Sequence, residues 1–289
     1  MVAPSKDKIA FTSKISAVAK DMLLAPIYLY QGNKVKRDTV RLLEPEGERH
    51  GQVKLHDSPR TTVDTNDRIL SIMVVGDSAA AGVGSDNQQQ ALAGKLIPAL
   101  QQQSVVNTHF DVLSWSVQAT TGHTSFDIVR RLYVLPKPSQ AVDVMAISVG
   151  VNDTTSNILI VQWQQQLQEI ITIAQRKFGV KTLIFLSLPP MAQMPALPVP
   201  LNSYVGAKAA QLDTVLQQVC SDHSGVHYMA TDFASMIADY SNGGPVDNKA
   251  MFAIDGFHPS SITYGYWAEQ LATLINDLVI SEIETNGFA

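Results

Sequence analysis

The chain has 289 residues, 45% of them hydrophobic and 16% charged, with 21 Lys and Arg against 26 Asp and Glu for a net charge of −5. Such a composition supports a sizeable core, and it excludes a disordered polyelectrolyte and a protein devoted to gripping nucleic-acid backbones. The single cysteine, Cys220, excludes an internal disulfide framework and any multi-cysteine zinc site.

The charge is unevenly divided. Residues 1–60 hold 11 basic and 7 acidic residues (net +4), and residues 61–289 hold 10 and 19 (net −9), so a basic arm precedes an acidic body. In the arm, residues 22–30 (Met-Leu-Leu-Ala-Pro-Ile-Tyr-Leu-Tyr) are the strongest apolar stretch, broken by Pro26 and followed by Lys34, Lys36, Arg37 and Arg41. A membrane span needs about 18–20 apolar residues, and no small-residue cleavage site marks a signal peptide. The expected location is therefore the cytoplasm. An apolar patch beside a basic cluster suits a weak peripheral contact of residues 22–41 with an anionic membrane surface. The competing reading, which the sequence favours, is an arm packed on the body with its charges in solvent.

Residues 42–69 are polar and rich in turn formers (Pro45, Gly47, Gly51, Pro59) and read as a connector. The chain thus divides into an extension and connector over residues 1–66 and one globular unit over residues 67–289. Within that unit, short apolar runs at 69–76, 109–115, 142–149, 181–188 and 226–230 read as strands buried on both faces. Between and after them, 88–103, 125–132, 157–178, 203–221 and 261–279 read as helices. In the fourth of these, Cys220 continues the apolar spacing of Val205, Ala209, Leu212, Leu216 and Val219, as a buried small hydrophobe would. Regular alternation of strand and helix predicts an α/β fold with a parallel sheet covered on both faces.

In such a sheet, ligands bind beyond the carboxyl ends of the strands. Four polar clusters stand at such places or just before the closing helix. After the first strand comes Gly76-Asp77-Ser78, where a sharp turn can present a hydroxyl, although the same residues suit a plain helix cap. Gly122 follows the second strand and can offer a backbone N–H, or simply turn the chain. Asn152, in Gly150-Val151-Asn152-Asp153, can donate an amide to a developing oxyanion, or serve as a turn residue. In Asp255-Gly256-Phe257-His258, three-residue spacing lets a carboxylate reach one ring nitrogen and leaves the other free.

The order of these blocks resembles that of the SGNH hydrolases, also known as the GDSL esterase and lipase family, over roughly residues 70–280. That resemblance implies a flavodoxin-like three-layer α/β/α sandwich with a five-stranded parallel sheet. It implies Ser78 as nucleophile, His258 as general base and Asp255 as the carboxylate that orients it. The oxyanion hole would comprise the N–H groups of Ser78 and Gly122 and the side chain of Asn152. The family's first block usually continues with Leu where Ala79 stands, and its second often reads Gly-Asp-Thr where His123 follows Gly122 here. His123 is read as a wall residue rather than a second base. The arm, with Gln31 to Arg37 and Arg41 to Pro45, resembles the basic leader of a bacterial subset of the family.

The function implied is hydrolysis of small-molecule carboxylic esters of short to medium chain length through an acyl-enzyme, with no metal or cofactor. Thioesterase, lysophospholipase and sugar O-deacetylase activities are alternatives in the same class. A non-catalytic membrane-surface binding module is the alternative from another class, disfavoured by the intact Ser78, Asn152, Asp255 and His258. Either a monomer or a homo-oligomer is compatible with the sequence. The proline-stiffened segment 189–201 places Met191 and Met194 at the ligand end of the sheet, and these two with Phe257 and Trp115 are the expected substrate-pocket residues.

Overall fold

The structure, a computed structural model, describes residues 6–55, 67–242 and 248–286; in the first and last helices, side chains are described for residues 19–38 and 261–281. After helix α1 (Lys6–Asp38), strand β1 (His50–Lys54) leads to β2 (Ile69–Gly76). Helices α2 (Ser78–Ala81), α3 (Leu92–Gln101) and α4 (Ser104–His109) connect to β3 (Val112–Ala119), and α5 (Ser125–Val134) connects to β4 (Val144–Ser148). Helices α6 (Val151–Thr155) and α7 (Ile160–Phe178) precede β5 (Thr182–Leu186), and α8 (Leu201–Ser221) precedes β6 (Val226–Met229). The chain closes with α9 (Phe233–Ser241) and α10 (Ser261–Asn286).

The sheet order is β1-β3-β2-β4-β5-β6. Five strands are parallel, and β1 runs antiparallel to β3 at the edge. From β2 the chain steps outward to β3, then returns past β2 to β4. Right-handed crossovers in opposite directions put the connecting helices on opposite faces. Accordingly α3 packs with α10 in one layer, while α5, α7 and α8 form the other. The result is the expected three-layer sandwich with one strand more. Because both faces are covered, β5 is buried along its whole length. On α7, Trp163, Leu167, Ile170, Ile171, Ala174 and Phe178 recur at helical spacing and are all buried. The Trp163 indole donates to the Leu212 carbonyl of α8 at 3.0 Å, which satisfies the one polar atom this ring carries inward.

Helices α1, α2, α4, α6 and α9 are not among those read from the sequence, and two strands depart from the expectation. The first is β1, which comes from the stretch read as connector. Its burial alternates between exposed and partly buried, so no apolar run announces it. The second is β3, which begins three residues later than expected because 104–109 wind into α4. The expected boundary between residues 66 and 67 adjoins segment 56–66, which lies outside the described residues.

The arm packs on the body. Residues 21, 24, 25, 28, 31, 32 and 35 of α1 recur at helical spacing and are partly covered. Tyr28 stacks on Tyr204 of α8 with ring centroids 4.5 Å apart. The Gln31 side chain donates to the Val199 carbonyl at 2.8 Å and accepts from the Leu201 N–H at 3.1 Å. Among the described residues, no helix is long and apolar enough to cross a membrane. Cys220 is buried as expected, and burial pushes its thiol up to about 12.

Candidate active site

The chain reverses direction across the sheet between β2 and β4, and a crevice opens at their carboxyl ends. Gly76 closes β2 at φ +155°, and a Cβ there would sit 2.2 Å from the Ser148 carbonyl of β4, so only glycine lets the strands stay paired through this turn. Asp77 follows, buried, and its Oδ1 accepts the Ala79 N–H at 3.0 Å and the Ser148 hydroxyl at 3.2 Å. It caps α2 and fixes Ser78 as the first helical residue. The Ser78 N–H therefore belongs to the first turn, where no intrahelical acceptor exists. Burial pushes the Asp77 carboxyl up to about 6, against the opposing pull of those donors and His258.

Ser78 meets His258 across the crevice, with Oγ and Nε2 3.0 Å apart. On the far side of the ring, Nδ1 lies 2.5 Å from Asp255 Oδ2. With the Nδ1 proton given to Asp255, Nε2 is left to accept the serine proton. A tight turn makes the three-residue spacing work: the Gly256 N–H donates to the Ala253 carbonyl at 2.9 Å, and Ala253 N–H to the His258 carbonyl at 2.8 Å. Asp255 Oδ1 accepts the N–H groups of Phe257 and His258, each at 3.0 Å, leaving Oδ2 for the imidazole. Burial acts to raise the Asp255 carboxyl, but the hydrogen bonds from His258 and Phe257 outweigh it and hold the group below its ordinary value. The carboxylate stays ionised, as stabilising an imidazolium requires.

The other two expected donors, Gly122 and Asn152, lie in segments joined by a hydrogen bond. Gly122 adopts φ +85° with nothing within 4 Å of where a Cβ would stand, so its conformation rather than lack of room calls for glycine. Asn152 sits in α6, directly after β4, and donates one amide hydrogen to the His123 carbonyl at 2.9 Å. An asparagine has two such hydrogens, and the second remains for a ligand. Asp153 beside it is buried and holds the start of α5 through Ser125, whose N–H and hydroxyl it accepts. His123 is partly buried; desolvation and the nearby Arg131 hold its imidazole below its ordinary value.

A cavity of about 50 Å³ opens beside Ser78 and His258, walled by Met194, Phe233, Met251, Phe252, Phe257 and Trp267, with Ser148 and Ser187 as polar spots. Met194 and Phe257 thus stand where the sequence reading expected pocket residues. Met191 does not line the cavity; it is buried in the hydrophobic core. Trp115 also fails to reach it, because β3 continues to Ala119 and leaves the indole in mid-strand, paired with Ile72 of β2 and Gly51 of β1. Sequence reading missed Phe233, Met251, Phe252 and Trp267. Phe233 and Phe252 stand outside the elements read from the sequence, and Trp267 reads as ordinary core of the closing helix.

Fold and hydrogen-bonded trio together define the class as a three-layer α/β hydrolase. A model of the GDSL-like Lipase/Acylhydrolase family matches residues 74–266. The chain belongs to that family and is a carboxylic ester hydrolase. Solved structures agree on the fold. The psychrotrophic esterase EstA of Pseudoalteromonas sp., inhibited by monoethylphosphonate, is 18% identical with a TM-score of 0.50, covering 73% of this chain and 98% of that one. A carbohydrate esterase family 2 enzyme with its carbohydrate-binding domain, from Corynascus thermopiles (Myceliophthora fergusii), is 15% identical with a TM-score of 0.55, covering 76% and 69%. A family 3 carbohydrate esterase of Clostridium thermocellum is 18% identical with a TM-score of 0.51, covering 74% and 98%. No curated protein is similar enough to count as a relative of the chain.

Proposed function

We propose that the protein is a serine esterase that cleaves small carboxylic esters of short to medium chain length through an acyl-enzyme on Ser78. The observation that carries this reading is the unbroken hydrogen-bonded line from Asp255 through His258 to Ser78 at the mouth of the cavity. His258 takes the hydroxyl proton as Ser78 Oγ attacks the ester carbonyl, and Asp255 stabilises the resulting imidazolium. The N–H groups of Ser78 and Gly122 and the free amide hydrogen of Asn152 receive the negative charge that develops on the carbonyl oxygen. His258 then returns the proton to the departing alcohol, and water releases the acid by the same steps.

The cavity receives the acyl group. Its volume of about 50 Å³ is small beside the roughly 300–1,000 Å³ of a drug-sized ligand site, which favours the short end of the range. The same smallness supports a second reading, in which the acyl group is acetyl and the alcohol a sugar. The test is a series of p-nitrophenyl esters from acetyl to dodecanoyl, with acetylated sugars beside it. The expected profile peaks at two to four acyl carbons and falls steeply beyond. Ser78→Ala should lose at least about 10³-fold in kcat; retained turnover in that variant would end the proposal.

A further inference from the structure

The oxyanion loop 120–124 is exposed at Thr121 and Gly122, yet it carries a donor that must be aimed within a fraction of an ångström. The His123 N–H donates to the Thr120 carbonyl at 3.2 Å and Arg131 holds the Thr120 hydroxyl, but the anchors of Thr121 come from a distant part of the chain. The Glu44 carboxylate accepts the Thr121 N–H at 2.7 Å and the Thr121 hydroxyl at 2.9 Å, both through Oε1. Oε2 of the same carboxylate accepts Arg49 at 2.9 Å. Arg49 in turn donates to the Ala119 carbonyl at 2.9 Å, just before the loop.

The same segment also grips the nucleophile's turn. Gln88 donates to the Pro45 carbonyl at 3.1 Å and to the Ala81 carbonyl, at the end of α2, at 3.0 Å. The Gln88 N–H donates to the Glu46 carbonyl at 2.9 Å. Residues 44–49 therefore reach the helix that carries the Ser78 N–H by way of Gln88, and contact the loop that carries the Gly122 N–H directly through Glu44. These residues lie outside the stretch matched by the family model.

We infer that residues 44–49 form a strap that sets the spacing of the two backbone donors in the oxyanion hole, with Glu44 as its positioning residue. This inference rests on the proposed roles of Ser78 and Gly122. Glu44 touches neither substrate nor reacting atoms and acts only through Thr121. The Glu44–Arg49 pair is half-buried, and its catalytic effect falls on the geometry of the loop. Loosening the loop should therefore slow formation of the charged intermediate while leaving binding of the neutral ester nearly unchanged.

The test uses a fluorophosphonate probe on the full chain, followed by mass measurement of the adduct. Ser78 Oγ bonds to phosphorus, fluoride leaves, and the hydroxyl proton passes to His258, so the rate reports the oxyanion hole without choosing an ester. Glu44→Ala is expected to lower both the labelling rate and kcat by about 10- to 100-fold, with KM changed less than about threefold. Glu44→Gln, which keeps an acceptor for Thr121 but loses the charge, should recover part of that loss. Thr121→Val, which deletes only one of the anchoring donors, provides a variant least disposed to misfold and should show a smaller loss in the same direction. If the wild-type chain is not labelled at Ser78, the serine-hydrolase reading itself fails. If it is labelled and Glu44→Ala and Thr121→Val react at the wild-type rate, the strap is overturned. A fall in thermal midpoint with an unchanged rate for the folded protein would overturn it equally, since that is what a merely structural contact gives.

Discussion

Two short segments carry the backbone N–H groups proposed for the oxyanion hole, and they are built in different ways. The turn 76–82 is locked mainly from within: Asp77, Ala80 and Ala81 are buried, and the Asp77 cap is satisfied two residues along the chain and by the neighbouring strand, with Gln88 as one outer tie to the Ala81 carbonyl. The loop 120–124 is held largely by polar contacts: Glu44 and Asn152, remote in sequence, hold Thr121 and the His123 carbonyl, Arg49 holds the Ala119 carbonyl just before it, and the nearer Arg131 holds the Thr120 hydroxyl. A nucleophile needs rigidity of its own, which a strand-to-helix turn in the core supplies. A donor on an exposed loop borrows rigidity from polar contacts, and each of those contacts is a separate point at which geometry can fail.

Substitutions can break that contrast in graded steps. The largest effect is expected from Asp255→Asn, which leaves the wrong ring nitrogen of His258 protonated and should reduce kcat by about 10³–10⁴-fold, measured on p-nitrophenyl acetate. Next, Asn152→Ala removes both a donor to the oxyanion and a tie to the His123 carbonyl, with an expected kcat loss of about 10²–10³-fold and little change in KM. If the loop were rigid by itself, the loss would match that of a donor alone, and Glu44→Ala would add nothing to it.

The turn makes its own test through pH. The Asp77 carboxyl is raised to about 6 from an ordinary 3.8, so ionising it costs the folded state more than the unfolded one. That cost is absent below about pH 4 and complete above about pH 6, so stability falls as pH rises through this window. Asp77→Asn keeps the acceptor for Ala79 and removes the charge. It should raise stability at pH 7 by up to about 3 kcal/mol and by almost nothing at pH 3.5, read from urea midpoints. An equal gain at both pH values would contradict burial of the ionised group. The smallest effect on turnover is expected at the two methionines of segment 189–201. Met191→Ala should cost stability by about 2–5 kcal/mol without shifting chain-length preference, because Met191 is core, whereas Met194→Ala should shift that preference toward longer acyl groups.

What the sequence revealed follows the same division. Gly76-Asp77-Ser78 and Asp255 to His258 were legible because their chemistry is local: a strand end, a cap and a three-residue turn contain nearly all the contacts that define them. Strand and helix alternation likewise gave the layers, since long apolar periods report burial directly. The edge strand β1 was not legible, because its alternation of exposed and partly covered positions follows pairing with β3 rather than an apolar run. Trp115 was misplaced by a shift of the strand: α4 consumes residues that look extended, and the indole moves from the strand's end to its middle. Glu44 left no signal at all, since its partner Thr121 is 77 residues away and nothing in the Glu44-Pro45 pair indicates a carboxylate turned toward a loop.

The most direct measurement of the central claim is a rapid-quench reaction with p-nitrophenyl acetate, followed by peptide mapping of the trapped protein. An acetyl group should appear on Ser78 at a rate matching the burst of p-nitrophenol and disappear with the steady-state turnover. An acetyl group on another residue, or hydrolysis with no covalent intermediate and an undiminished rate in Ser78→Ala, would contradict it.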